Sequence, residues 1–207
     1  MVKFASVRDF TIRSGEAMIS FKKQVSGNAR PQTGEQSCRA YDIDIRPLTL
    51  SDADDLRRNC FPDEPCQSVT DYVQRALHFV ERGQAKHLVA ETDGQAVANA
   101  QMLCWRKRAE IGSLVVAEPL RGQGIGTALI KALSAAAADL GAEQIEIGAE
   151  KHNQRVLELY QRLGFKPYKQ VRLPGNDEVV YLVKPIPPRP LTSSPDTCVQ
   201  GKCGPCN

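Results

Sequence analysis

Hydrophobic and polar positions fall into short, regular patterns from Tyr41 onward. Ile43 and Ile45 alternate with Asp42, Asp44 and Arg46, the period-two signature of a half-buried strand. Thr49-Leu50-Ser51-Asp52 has capping-box spacing in front of a helix running towards Arg58. Tyr72, Ala76 and Phe79, at i, i+4 and i+7, predict a second helix with Gly83 as its stop. Three strand-like runs follow: His87 to Glu91, Ala96 to Trp105, and Glu110 to Val116. Asp93-Gly94 is a hairpin signal between the first two, and Arg106-Lys107-Arg108 is a polar turn between the next two.

The third strand feeds a glycine-rich loop and an Ala/Leu-rich helix, Thr127 to Leu140, whose stripe is Leu129, Leu133, Ala136 and Leu140. Gly141 ends it. Gln144 to Gly148 alternates as a further strand, and Val156, Tyr160 and Leu163 mark a helix closed by Gly164. Lys169 to Leu173 and Val179 to Val183 are the last strand candidates. The order β-α-α-β-β-β-α-β-α-β-β predicts an α/β fold, a mixed sheet flanked by helices. Residues 1–40 read as an extension with a loose hairpin and a Gly/Ser/Pro-containing linker, 41–186 as the domain, and 187–207 as a flexible Pro- and Cys-containing tail.

Composition narrows the partners. At 207 residues, one domain with extensions is the expectation. Net charge is 27 − 24 = +3 with the basic residues interspersed, which argues against a nucleic-acid binder. No run reaches the roughly 18 apolar residues of a membrane span. Lys3, Arg8, Asp9 and Arg13 leave no apolar core for a signal peptide, so a cytoplasmic location is expected. Seven cysteines, an odd count, do not form a secreted disulfide framework. Cys38, Cys60, Cys66 and Cys104 read as inert thiols. Cys198, Cys203 and Cys206 have C-x4-C-x2-C spacing that could wrap a soft metal but lacks a fourth ligand, so no metal site is expected.

The chemistry concentrates between Leu114 and Thr127. Gly122, Gly124 and Gly126 let the backbone approach a ligand, and the amides that open the following helix are free donors at its positive end. That is an anion site suited to a pyrophosphate. It is not a dinucleotide fingerprint, because Thr127 stands three residues after Gly124, and no Gly-Lys-Ser/Thr of a P-loop is present.

Arg121-x-x-Gly124-x-Gly126 resembles the coenzyme A loop of the GNAT superfamily of acyl-CoA N-acyltransferases. Ala109-Glu110-Ile111-x-x-Leu114-x-Val116 resembles that family's central strand, and Asn153 through Leu159-Tyr160-x-x-Leu163-Gly164-Phe165 its second cofactor motif. Ala98 replaces a common strand glycine and Val156 a common alanine. The resemblance implies acetyl-CoA as cosubstrate, with its pantetheine arm inserted beside the central strand at Leu114, Val115 and Val116. The amides of Val116 and Val115 would bond the arm and the thioester. Backbone amides of Arg121, Gly122, Gln123, Gly124, Ile125, Gly126 and Thr127 would cradle the pyrophosphate. Asn153 would bond the arm or cap its own helix, the two roles being compatible.

The implied reaction is direct attack of a primary amine on the thioester. Tyr160, a phenol of ordinary pKa about 10, fits the acid that protonates the leaving thiolate. Glu110 is the leading base, with Glu150 and His152 as rivals acting through water. The expected function is therefore transfer of an acetyl or short acyl group to an amine of unspecified identity, small molecule or protein. The alternatives are a non-catalytic acyl-CoA-binding module, and a metal-linked interaction factor built on the same scaffold.

Overall fold

The computed structural model describes residues 23–25, 41–173 and 178–187. In chain order, β1 (Lys23–Val25) and β2 (Tyr41–Pro47) precede a 3-10 turn (Leu50–Asp52), α1 (Ala53–Cys60) and α2 (Cys66–Glu81). Then come β3 (Ala85–Thr92), β4 (Gln95–Trp105), β5 (Arg108–Val116), a second 3-10 turn (Glu118–Leu120) and α3 (Ile125–Asp139). β6 (Gln144–Glu150), α4 (Gln154–Arg162), β7 (Lys166–Arg172) and β8 (Glu178–Pro185) complete the fold. The strands lie in the order β1-β2-β3-β4-β5-β6-β8-β7. Every neighbouring pair is antiparallel except β5 and β6, which α3 connects as a βαβ crossover. This is the mixed sheet flanked by helices that the sequence pattern predicts. β1 adds a short strand inside the stretch read as extension and linker; the rest of that stretch and residues 188–207, including the clustered tail cysteines, lie outside the described residues.

Two apolar layers sandwich the sheet. On one face α3 and α4 bury Leu129, Ile130, Leu133, Leu157 and Tyr160 against Met102, Ile111, Ile145, Ile147 and Leu182. On the other, α1 and α2 bury Leu56, Phe61, Val69, Tyr72 and Val73 against Val89 and Ala96. The capping box forms as predicted, with Thr49 N–H donating to Asp52 (2.7 Å). Asp52 also receives Arg46 (2.7 Å), which bridges to Glu91. Burial alone would raise the Asp52 carboxyl, but its bonds from Arg46 and Thr49 hold it below the usual range. α1 is pinned to β4 at one residue: Asp55 accepts from Ala96 N (3.2 Å) and Asn59 donates to Ala96 O (2.9 Å).

Two predicted helix faces rotate in the structure. In α2 the buried side is Val69, Tyr72, Val73 and Ala76, while Phe79 is half-exposed, because the helix leans its first three turns on β3. In α3 the buried face widens to Ile125, Leu129, Ile130, Ala132, Leu133 and Ala137, while Ala136 and Leu140 lie at its margin. A helix laid across a sheet covers more of its circumference than a four-residue stripe.

His87 of β3 is only 3% exposed, and burial pushes its pKa down from 6.5 to about 3. The unfolded chain therefore binds a proton that the folded one refuses as pH falls below 6.5. Stability from this residue is complete above that pH and is lost progressively on acidification. Urea titrations at neutral and mildly acidic pH are expected to show a shallower acid loss in His87→Gln than in the parent. An equal slope would contradict a neutral, buried His87.

Candidate functional site

The sheet opens at its centre. β5 pairs with β6 only from Arg108–Gln144 to Ile111–Ile147. Beyond that point β6 continues along β8 to Glu150, and β5 continues along β4 to Val116. The two strands therefore part after Ile111 and Ile147, leaving backbone edges that face one another unpaired. A bulge in β5 helps: two residues, Ser113 and Leu114, face Ala100 alone, and Ser113 has a φ of 51°. The extra residue shifts the side-chain alternation, so Ala109 and Ile111 before it and Leu114 and Val116 after it all reach the α3 face. Val115 packs on the α1/α2 face.

Backbone alternation tells which amides line the opening. Ala117 N donates to Val97 O (2.8 Å), so Val115, two residues earlier, also turns its backbone towards β4, opposite Asn99. Val116 turns the other way, and its carbonyl accepts from Arg121 Nε (3.1 Å).

The loop after β5 ends this opening. Gly122 and Gly124 have φ of 82° and 87°, a region other L-residues avoid. Gly124 is the N-cap of α3 and offers no side-chain bond, and Ala128 is the first amide to bond back, to Gly124 O (3.0 Å). The amides of Ile125, Gly126 and Thr127 are thus donors with no partner inside the helix, at its positive end. Nothing lies within 4 Å of where a Gly124 Cβ would sit, so the loop borders open space. A Gly122 Cβ would come within 3.1 Å of Arg155 Nη2, which places the α4 guanidinium against the loop. Free amides, helix dipole, open space and a guanidinium together fit a pyrophosphate.

Ionisable candidates sit on both sides. Tyr160, 4% exposed, rests its ring 6.2 Å from Phe165, and its hydroxyl has no hydrogen-bond partner among the described residues. Burial pushes its phenol up to about 12, so it keeps its proton at neutral pH. Asn153 caps α4, accepting from Val156 N (3.3 Å). Glu110 stands on the face away from α3, beside the point where the strands part and in register with Glu146. Burial, then repulsion from Glu146, raises its carboxyl, with Lys169 opposing. Glu146, nearly buried, accepts from Tyr168 (2.6 Å) and pairs with Arg108 (3.3 Å). Glu150, the last residue of β6, and His152, in the turn that follows, form an exposed pair (3.3 Å).

Residues 50–165 match the family model described as Acetyltransferase (GNAT) family. The chain belongs to that family. It is 35% identical over 81 residues to N-alpha-acetyltransferase 30 of Schizosaccharomyces pombe, covering 38% of this chain and 54% of the relative. It is 27% identical over 154 residues to an N-alpha-acetyltransferase of Sulfolobus acidocaldarius, covering 67% of this chain and 88% of that one. An N-alpha-acetyltransferase of Sulfurisphaera tokodaii is 31% identical over 46% of this chain and 65% of its own length. The chain thus spans between about half and nine-tenths of these relatives. Among solved structures, a ribosomal L7/L12 alpha-N-protein acetyltransferase in complex with coenzyme A superposes with a TM-score of 0.61 at 18% identity, over 70% of this chain and 94% of that chain. A ribosomal-protein-alanine N-acetyltransferase from Brucella melitensis superposes with a TM-score of 0.61 at 22% identity, over 69% and 99%. At these identities the superpositions establish the GNAT fold.

Sequence reasoning located the loop, β5 and the Tyr160 helix of this GNAT domain, but it missed two neighbours. Arg155 lies inside the Asn153–Phe165 motif but is not one of the residues that define it, and it reaches the loop only through the packing of α4. Glu146 faces Glu110 because β5 and β6 run parallel in this register. The alternation of Gln144 to Gly148 puts Glu146 on one face of β6, without saying which strand lies beside it.

Proposed function

We propose that this GNAT protein transfers an acetyl group from acetyl-CoA to the α-amino group at the N-terminus of a protein or peptide. The observation that carries the reading is the parting of β5 and β6 ahead of a capless helix N-terminus, which makes a slot for an extended arm that ends on an anion site. The names of the relatives support the α-amine as acceptor.

In this reading Ile125, Gly126 and Thr127 bind the pyrophosphate through their amides, and Arg121 and Arg155 add positive charge. Val116 offers its open-edge amide to the pantetheine arm; Leu114 lines the slot, and Val115 packs it from behind. Asn153 caps α4 and borders the arm. Glu110 accepts a proton from the incoming ammonium, directly or through one water. The free amine attacks the thioester carbonyl, a C–N bond forms, and the C–S bond breaks. Tyr160 donates its proton to the departing sulfur, the acylated nitrogen sheds its second proton to water, and Tyr160 then regains a proton from solvent while Glu110 releases its own.

Because Glu110 must be ionised to act, its raised pKa sets an acidic limb above the ordinary carboxylate range. Glu146→Gln removes the second-largest cause of that shift and is expected to move the limb to lower pH. Glu110→Gln is expected to abolish the limb and lower kcat by about 10²-fold or more. A limb that stays in place in both variants would assign the base to Glu150 or His152.

Coenzyme A release can be followed with a peptide bearing a free N-terminus and with the same peptide blocked at its α-amine but carrying lysine. Release with the first alone supports the proposal. Equal release with both would make the acceptor any primary amine, and release with neither, despite acetyl-CoA binding, would make the protein a binding module.

A further inference from the structure

Four polar side chains from four strands and helices meet under the bulge of β5, and the acyl-transfer steps above use none of them. Asn99 of β4, fully buried, donates to Ser113 O (2.9 Å) and to the Tyr72 hydroxyl (3.0 Å). Tyr72 of α2 is bonded to the Ser113 side chain as well, and its hydroxyl lies 3.4 Å from His87 Nε2. Both amide hydrogens of Asn99 are therefore committed, one of them to the residue that holds the left-handed φ of 51°.

We infer that Asn99 is a positioning residue for coenzyme A, pinning the left-handed bulge at Ser113 that sets which β5 amides face the opening between β5 and β6. The inference rests on reading that opening as the acetyl-CoA site. Three physical points carry it. A serine has no intrinsic preference for positive φ, so something must hold it there, and Asn99 and Tyr72 grip both its carbonyl and its hydroxyl. In a trans peptide the carbonyl and the next N–H point opposite ways, so fixing Ser113 O towards α2 also fixes the direction of Leu114 N–H. Without the extra residue the alternation slips by one, which would turn Val115 to the opening and Val116 to β4. The cluster also leaves Asn99 Oδ1 and His87 Nδ1 buried with no partner among the described residues, a cost that an apolar core of the same shape avoids.

Glycine adopts positive φ freely, so Ser113→Gly should form the bulge without a pin. The test is calorimetric titration of coenzyme A into the parent, Asn99→Leu, Ser113→Gly and the double variant, with circular dichroism to verify folding. Asn99→Leu is expected to bind about tenfold more weakly, Ser113→Gly like the parent, and the double variant to within about threefold of the parent. Such rescue separates positioning from mere support of the core, which a glycine on β5 would not restore. Parent-like affinity in Asn99→Leu, or a double variant as weak as Asn99→Leu, overturns the inference. If Asn99→Leu does not fold, Tyr72→Phe keeps the core ring and removes the phenol bonds. It is expected to bind about threefold more weakly and to be restored by Ser113→Gly, and unchanged affinity would overturn the inference. A parent that binds no coenzyme A would instead overturn the reading of the cleft.

Discussion

Tyr160→Phe is expected to lower kcat by about 10²–10⁴-fold while leaving acetyl-CoA affinity and melting temperature near the parent's. The side chain has two separable parts. The ring packs on Phe165 within the α3/α4 core, and phenylalanine keeps that packing. The hydroxyl bonds no other group among the described residues, so its loss orphans no protein donor or acceptor. Burial holds the phenol up at about 12, leaving it protonated but reluctant to ionise except towards a strong developing base such as a departing thiolate. A loss confined to kcat would match a proton needed only in the transition state. A loss confined to KM would make Tyr160 a binding residue, and an unchanged kcat would assign proton delivery to water.

Gly124→Val is expected to weaken acetyl-CoA binding by about thirtyfold or more, against little change in Gln123→Ala. Gly124 holds a φ of 87°, and an L-residue there costs about 1–2 kcal/mol, more for a β-branched one. Nothing lies within 4 Å of the new Cβ, so the protein itself does not clash. The valine either forces the loop out of the shape that aims the α3 amides or occupies the ligand's own space. Gln123 contributes its backbone to the loop, and among the described residues its side chain bonds only Pro119 O, at 3.5 Å. Equal affinities across the two variants, measured by calorimetry, would remove the loop from the cofactor site.

Strand and helix order was legible because each element's pattern is local. Ile43 and Ile45 announced β2, and Gly83, Gly141 and Gly164 stand just past the helices they were expected to end. The loop was legible for the same reason: Gly122, Gly124 and the start of α3 adjoin in sequence. The bulge was visible in principle, since the apolar positions switch from Ala109 and Ile111 to Leu114 and Val116, a change of parity that only an inserted residue allows. What holds it was not legible. Tyr72, His87, Asn99 and Ser113 come from four separate elements, and no spacing links them. Asn99 is a polar residue inside the strand-like run Ala96 to Trp105, and nothing in that run shows that it is fully buried. Arg155 carries no signal of its own in the sequence, and only the tertiary approach of α4 to Gly122 gives it a site to serve.

A crystal structure of the protein with coenzyme A bound tests the central claim most directly. The account predicts the pyrophosphate on the amides of Ile125 to Thr127 and the pantetheine arm lying between β5 and β6. Val116 N–H should bond that arm, and the thiol should face the Tyr160 hydroxyl. Coenzyme A bound elsewhere, or in the loop with its arm outside the β5–β6 opening, would contradict it.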